Sequence, residues 1–318
     1  YKDYASWQSE KFASEAFEKH KTFWLDQLSG ELPKLNLPSF IKRPLVKTYD
    51  ERTLETYLSE ELSQRLNQFC RENSGSLFMG VLAGVNAILH RYTNQKDFIV
   101  GSPVAGRDQQ ELAEQIGCYI NVLPFRNQVQ ENQSFLDLFG TVRENTIAAY
   151  DHQEYPFDKL IEDLNLKRDM GRSPVFDMMV VMQNISEVES DQELDFIHSD
   201  QIKDLGEGKG KFDLNFIFFE IGDRISLKVS YNEDVYEKPL IEQLIRHFKS
   251  LLSLMLDKVD KPLGELNYMS QELHEELVYE LNATDLAYSD KLTLVDIVES
   301  RTNKTPNNVS FIDENRSI

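Results

Sequence analysis

The stretch LFMGVLAGVNAILHRY (residues 77–92), together with the apolar run Phe98-Ile99-Val100 that follows it, decides the fold class of this chain. Apolar side chains recur every three to four positions from Leu77 to Tyr92, which predicts a helix with a buried face. The run at 98–100 predicts a short buried strand, which Gly101-Ser102-Pro103 ends. A helix that leads directly into a buried strand is typical of chains in which helices cover a sheet.

The same alternation of helix and strand signals continues along the chain. Apolar spacing predicts helices over residues 5–28 and 238–257, and Ser59-Glu60-Glu61-Leu62 predicts the first turn of another helix. Residues 31–50 hold three of the ten prolines and predict an extended loop. Strands are predicted near residues 53–58, 119–126, 175–183, 212–220 and 224–231. The chain is therefore predicted to be an α/β protein.

Three segments are predicted along the chain. A first domain covers residues 1–269 and closes soon after Pro262-Leu263-Gly264. Residues 270–291 are polar and acidic and predict a linker. Residues 292–318 contain a new helix and strand pattern, which predicts the truncated start of a second domain.

Composition restricts the class of function. The chain of 318 residues carries 34 Lys and Arg against 54 Asp and Glu, a formal net charge of -20. This excess of acid disfavours binding to nucleic acid and to anionic membranes, because both require positive charge. The N-terminus lacks the charged and apolar regions of a signal peptide, and two cysteines cannot build a disulfide framework. We therefore expect a cytoplasmic protein.

Several familiar site patterns are absent or incomplete. The glycines of Gly206-Glu-Gly-Lys-Gly-Lys211 have the wrong spacing for a phosphate loop, and Phe212 stands where that loop needs Ser or Thr. This segment predicts a flexible loop between strands. The six histidines and two cysteines show no metal-binding spacing, so no metal site is expected. No Gly-x-Ser-x-Gly nucleophile motif occurs either.

Polar residues without an obvious role in folding concentrate in short blocks, and these blocks carry a resemblance. In order and spacing they resemble the later core motifs of condensation domains of nonribosomal peptide synthetases, as does Val100-Gly-Ser-Pro-Val-Ala-Gly-Arg107. The resemblance covers roughly residues 1–270, and residues 292–318 look like the start of an adenylation domain. The blocks are YKDYASW (1–7), IGCYINVLPFR (116–126), HQEYPFD (152–158) and RDMGRSPV (168–175).

The resemblance implies a fold, a reaction and partners. The family fold is a pair of chloramphenicol-acetyltransferase-like α/β sandwiches arranged as a V, with a tunnel between them. The implied reaction is amide formation, in which an amine on one carrier-bound arm attacks a thioester on another. The implied partners are donor and acceptor peptidyl carrier domains, the N-terminal lobe of the condensation domain and an adenylation domain. The 4'-phosphopantetheine arms belong to the carriers, and no cofactor is expected to bind this chain directly.

One motif of the family is missing from this sequence. Its members depend on a His-His-x-x-x-Asp-Gly motif in the N-terminal lobe, whereas none of the six histidines here has a histidine neighbour. We therefore expect a fragment: the C-terminal lobe, a linker and the start of the next domain, inactive in isolation. An epimerisation- or cyclisation-type relative and a non-catalytic carrier-docking module stay open as alternatives.

The resemblance nominates tunnel residues, and each also has a simpler interpretation. Asn121 lies among apolar strand residues, so it either faces the tunnel or points outward by strand alternation. Tyr119 shares its block. Trp7 and Asp3 lie one helical turn apart, and Trp7 alternatively belongs to the core. His152 lies at a predicted helix end, where it alternatively acts as a cation that satisfies helix carbonyls.

A second group is expected to be structural. Arg168, Asp169 and Arg172 precede Pro174 in a compact charged turn, which predicts a network of ion pairs rather than substrate contacts. Arg107, at the end of the block Val100–Arg107, is likewise expected to have a structural role.

Overall fold

The computed structural model describes residues 1–12, 14–107, 110–167, 169–183, 202–285, 292–309, 312–313 and 316–317. These residues form two compact units, Tyr1–Tyr268 and Met269–Ile318. The functional blocks all lie in the first unit.

Two helices of the first unit begin at residues that are typical of helix N-termini. Leu77–Thr93 starts after Ser76, whose hydroxyl accepts the Met79 N–H, and Lys238–Asp257 carries Pro239 in its first turn. The α-helices that the described residues of this unit form are α1 (Lys2–Lys11), α2 (Glu15–Gln27), α3 (Glu60–Glu72), α4 (Leu77–Thr93), α5 (Phe135–Asp151), α6 (Phe157–Leu164) and α7 (Lys238–Asp257).

The described strands of the first unit form one mixed sheet. They are β1 (Asp50–Tyr57), β2 (Asp97–Val104), β3 (Asn121–Gln128), β4 (Met178–Gln183), β5 (Lys203–Lys209), β6 (Leu214–Ile221) and β7 (Arg224–Asn232). Their order is β3-β2-β4-β6-β7-β1-β5. The β2–β4 and β4–β6 pairs are parallel and the others are antiparallel. The sheet therefore places β3 at one edge and β5 at the other.

The core lies where α4 and α7 meet the sheet. Phe248 of α7 packs against Phe216 and Phe218 of β6, with ring centroids 6.0 and 5.9 Å away. Gly84 of α4 lies against the Phe248 ring, where a Cβ would come within 3.2 Å of it. The absent side chain therefore lets the two helices approach each other closely over the sheet.

Three sequence predictions about elements are wrong. Gly101-Ser102-Pro103 does not end the strand predicted at 98–100, because these residues pair with Pro124, Leu123 and Val122 and β2 continues to Val104. The helix predicted over 5–28 is two helices, because Ser14 starts α2 by accepting the Phe17 N–H at 3.3 Å. The glycine-rich segment predicted as a loop instead continues edge strand β5 to Lys209, paired with β1. Gly206 has a φ of +93° there, at the register shift between the two strands.

The second unit contains short elements. They are α8 (Gln271–Glu275), a π-helical turn at Glu276–Glu280, α9 (Leu294–Lys304) and the paired strands β8 (Ile312–Asp313) and β9 (Arg316–Ser317). In α9, Leu294 and Val298 are exposed. Over the described part of the chain, no helix combines the length and apolarity needed to cross a membrane.

Candidate functional site

A cavity of about 310 Å³ lies between α1, the segment before β3 and the turn before α6. It collects residues that are far apart in sequence, since residues 1–11, 118–121 and 153–158 all contribute to its lining. Three of the four blocks quoted above therefore meet at one place. Its volume falls at the lower end of the range of about 300–1,000 Å³ found for small-molecule sites.

Helix α1 supplies one wall of the cavity. Tyr4, Trp7 and Lys11 recur at helical spacing, so they share one face of the helix, and Tyr1 precedes it. The Tyr4 and Trp7 rings lie 5.6 Å apart. Trp7 is half-buried and lies outside the apolar core, so its interpretation as a core residue is wrong. The lining role of Tyr4 and Lys11 was missed, although their spacing was the available signal.

Tyr119 packs directly against the aromatic residues of this wall. Its ring meets the rings of Tyr4 and Tyr1 edge-on, at centroid distances of 4.8 and 5.4 Å. Its hydroxyl donates to Gln115 Oε1 at 3.0 Å. Tyr119 is only 4% exposed, so its orientation is fixed by packing on both sides. Tyrosine rings arranged in this way present apolar surface with a polar rim.

Arg107 supports this wall from behind. Its guanidinium carbon lies 4.4 Å from the centroid of the Tyr119 ring, within the range of a cation–π contact. The same guanidinium donates to the carbonyls of Leu112, Gln115 and Gly117, the last two at 2.8 and 3.3 Å. The planar guanidinium of Arg107 thus holds the loop at residues 112–117, which leads to Tyr119, in one position.

Asn121 borders the cavity, and its side-chain amide forms hydrogen bonds with backbone groups. Its Nδ2 donates to the carbonyls of Gln153 and Tyr155, both at 2.8 Å, and its Oδ1 accepts the N–H of Phe157 at 3.0 Å. Asn121 is half-buried. The side chain therefore joins the start of β3 to the turn that carries the HQEYPFD block.

An ion pair crosses the cavity between Lys11 and Glu154. The Lys11 ammonium lies 2.8 and 2.7 Å from the two carboxylate oxygens, and 4.2 Å from the centroid of the Trp7 ring. The partners are 143 residues apart in sequence, so no local pattern pairs them. Both side chains are more than one third exposed, so the pair contributes little to stability.

Two of the nominated tunnel residues lie outside the cavity lining. Asp3 is exposed in the first turn of α1. His152 follows α5, where its ring faces His20 and stacks on Phe23 rather than satisfying helix carbonyls. Burial and the nearby charge of His20 lower the pKa of His152. Its interpretation as a helix-end cation is therefore wrong, because this environment disfavours the charged form.

The charged turn lies apart from the cavity. Arg172 pairs with Asp177 and donates to the Leu35 carbonyl at 3.1 Å, and Asp169 lies 2.7 Å from the Lys34 ammonium. Hydrogen bonds from Lys34 and from a backbone N–H lower the pKa of Asp169. Arg168 lies outside the described residues.

In the part of the chain that the structure describes, no three His, Cys, Asp or Glu side chains are grouped so that they could hold a metal ion.

Comparison with known proteins gives a consistent family. The family model for the condensation domain matches residues 1–278. Bacitracin synthase 1 of Bacillus licheniformis is 34% identical over 316 residues, which are 99% of this chain and 6% of that protein. Gramicidin S synthase 2 of Brevibacillus brevis is 31% identical over 319 residues, 100% of this chain and 7% of that protein. The chain thus spans a small fraction of these curated relatives.

Solved structures share the fold. A four-domain nonribosomal peptide synthetase bound to AMP and glycine matches 94% of this chain and 24% of its own, with a TM-score of 0.77 and 19% identity. The X-domain from teicoplanin biosynthesis, solved in complex with OxyB, matches 84% of this chain and 60% of its own, with a TM-score of 0.73 and 21% identity. These similarities confirm the predicted chloramphenicol-acetyltransferase-like α/β fold.

Proposed function

The chain belongs to the condensation-domain family, and from this we propose that it is the C-terminal lobe of a domain that forms amide bonds between carrier-bound substrates. The lobe covers residues 1–269, residues 270–291 link it onward, and residues 292–318 begin an adenylation domain. It works with an N-terminal lobe and with donor and acceptor carrier domains. The net charge of -20 and the two free cysteines support a cytoplasmic location.

The observation that carries this proposal is the cavity beneath α1. Its lining draws on three sequence blocks that share no local structure, at residues 1–7, 118–121 and 153–158. A merely structural role for each block would not require them to border the same space. Their convergence supports a substrate-facing wall.

The comparisons support a lobe rather than a whole domain. The chain matches 60% of the solved X-domain chain, which leaves about two fifths of that chain unmatched. The absent His-His-x-x-x-Asp-Gly motif belongs to the N-terminal lobe of the family, and its absence here fits the same division.

The chemistry of the cavity suits a guiding role. The half-buried rings of Tyr4 and Trp7 offer apolar surface to an acyl or pantetheine chain, and the buried ring of Tyr119 holds Tyr4 in place. The backbone carbonyl of Gln153 is already bonded to Asn121. The residues of this chain would bind and orient the tethered reactants. Orientation of two bound reactants is worth up to about 7–11 kcal/mol of barrier, so a lobe without a base still contributes to rate.

The test compares the chain alone with the chain preceded by a relative's N-terminal lobe. Each is mixed with a donor and an acceptor carrier protein loaded with aminoacyl groups, and the dipeptidyl thioester is measured by mass spectrometry. We expect product only from the two-lobe protein. Turnover by the chain alone, or none by a folded two-lobe protein, would contradict the proposal.

A non-catalytic docking module is the second candidate. It is favoured by one comparison, because the X-domain of similar fold was solved in complex with a partner, OxyB. Carrier binding without any product from the two-lobe protein would decide for this alternative. A cyclisation-type activity would be recognised in the same assay by a cyclised product of lower mass. An epimerisation-type activity leaves the mass unchanged and would be recognised by chiral chromatography of the hydrolysed donor residue.

A further inference from the structure

Two histidines meet side to side outside the cavity. His20 of α2 and His152, the residue that follows α5, approach with their Nδ1 atoms 2.9 Å apart. Their rings are inclined by 77°, with centroids 4.9 Å apart. Phe23 stacks on His152 at 4.0 Å and 10°, and both histidines are half-buried. The contact joins two residues that are 132 positions apart in sequence.

The geometry of this contact limits how many protons the pair can hold. Two Nδ1 atoms at 2.9 Å form a hydrogen bond only if one carries a hydrogen and the other offers a lone pair. The bond therefore exists when both rings are neutral, and it persists when one ring is charged. With both rings charged, two N–H groups face each other and the bond is lost.

The charged groups around the pair favour the first proton and oppose the second. Glu154 Oε2 lies 4.0 Å from Nε2 of His20, and Glu154 is itself paired with Lys11 from α1. Asp151 precedes His152 and favours its charged form. Against this, burial and the charge of His20 lower the pKa of His152. Two positive charges on rings joined at 2.9 Å would repel each other, so a second proton on the pair is disfavoured.

We propose that His20 and His152 form a proton-operated latch that holds α2 against the end of α5 until a second proton releases it. The same place carries a second link, since Trp24 Nε1 of α2 donates to the His152 carbonyl at 3.0 Å. Release would leave the Trp24 bond to hold His152 without the ring contact, and would so loosen the adjoining turn at 153–156, which borders the cavity. This inference does not depend on the proposed condensation activity.

The direct test is a pH titration of the histidine ring nitrogens by NMR on the full chain. We expect the pair to titrate in two steps separated by at least about one pH unit, as coupled groups do. In His20→Asn and in His152→Asn, the remaining histidine should titrate in one step, above the lower step of the native pair. Asn is chosen because its amide occupies the position of Nδ1 without titrating. His274→Asn, in the second unit, is the matched control and should leave both steps unchanged.

Trp24 reports on the latch itself. In a Trp7→Phe background it is the single tryptophan, and its fluorescence should change across the lower step and stay flat there in both histidine variants. Independent titration of the two histidines with equal midpoints would overturn the proposal. So would a lower step without any change at Trp24.

Discussion

Arg172 and Asp177 form an ion pair in which both side chains are at least 87% buried, and the same guanidinium bonds the Leu35 carbonyl and Asn36 Oδ1. One side chain thereby ties the loop before β1 to the segment before β4. The pair lies among charged turn residues rather than at the cavity, so we expect it to act on stability.

Replacing Arg172 by Ala should lower the stability of the first unit by about 3 kcal/mol, because Asp177 would keep a buried charge without its partner. The measurement is the melting temperature at pH 7. Lys34→Ala is the matched control, since its pair with Asp169 is about half exposed and should cost less than about 1 kcal/mol. Equal losses of stability in the two variants would contradict the prediction, because they would show that burial of the ion pair does not determine its contribution.

Asn121→Ala should release the turn at 153–157. Three backbone groups would lose their partner, which costs about 1–3 kcal/mol where such groups are shielded from water. We expect faster hydrogen exchange at the Phe157 amide. Asn121→Asp should also lose protection of that amide, because a carboxylate oxygen in place of Nδ2 would face the carbonyl oxygens of Gln153 and Tyr155. A slow Phe157 amide in Asn121→Ala would contradict the clamp.

Arg107→Lys should loosen the loop that leads to Tyr119. A single ammonium cannot replace a guanidinium that bonds three carbonyls. The Gln115 N–H donates to the Leu112 carbonyl, which Arg107 also holds, so this amide should exchange roughly five- to tenfold faster when about one hydrogen bond is lost. Arg65→Lys, in α3, where Arg65 pairs with Asp257 of α7, serves as the control. Unchanged exchange at Gln115 would mean that packing alone holds the loop.

Asp137→Asn should flatten the acid dependence of stability. Hydrogen bonds from the Ser134 hydroxyl and backbone N–H lower the pKa of Asp137 in the folded state. Its contribution is therefore complete above the unfolded pKa of about 3.9 and is lost as pH falls through the folded pKa. Urea unfolding at pH 7 and pH 3 should differ less in the variant than in the native chain. Asp296→Asn removes the same capping group from α9 and should leave the transition of the first unit unchanged.

The long helices and the buried strands could be predicted because their signals are local. Helix α7 matches its predicted bounds, since an apolar stripe and Pro239 define it without reference to the rest of the fold. Strand β5 could not be predicted, because its glycines argue against a strand and its pairing with β1 joins residues about 150 positions apart. Tertiary pairing thus overrode local preference.

The candidate site shows the same limit. Tyr119, Trp7 and Asn121 were found through their blocks and line one cavity. Glu154 lies within a quoted block but was not selected, because its partner Lys11 is distant in sequence. Neither a tunnel role nor a helix-end role describes His152. Its ring lies against His20 and Phe23 of α2, and no local pattern in the sequence indicates these contacts.

The order of strands in the sheet bears on how the chain acquires its structure. Among the described residues, β1 pairs with β7 and β5, whose partner residues lie more than 145 positions later in the chain. During synthesis, β1 therefore leaves the ribosome long before its neighbours exist. Such high contact order slows folding and leaves strand edges open meanwhile. Completion of this sheet must await synthesis through Asn232, which makes it a late event on the ribosome and a point at which chaperones would act.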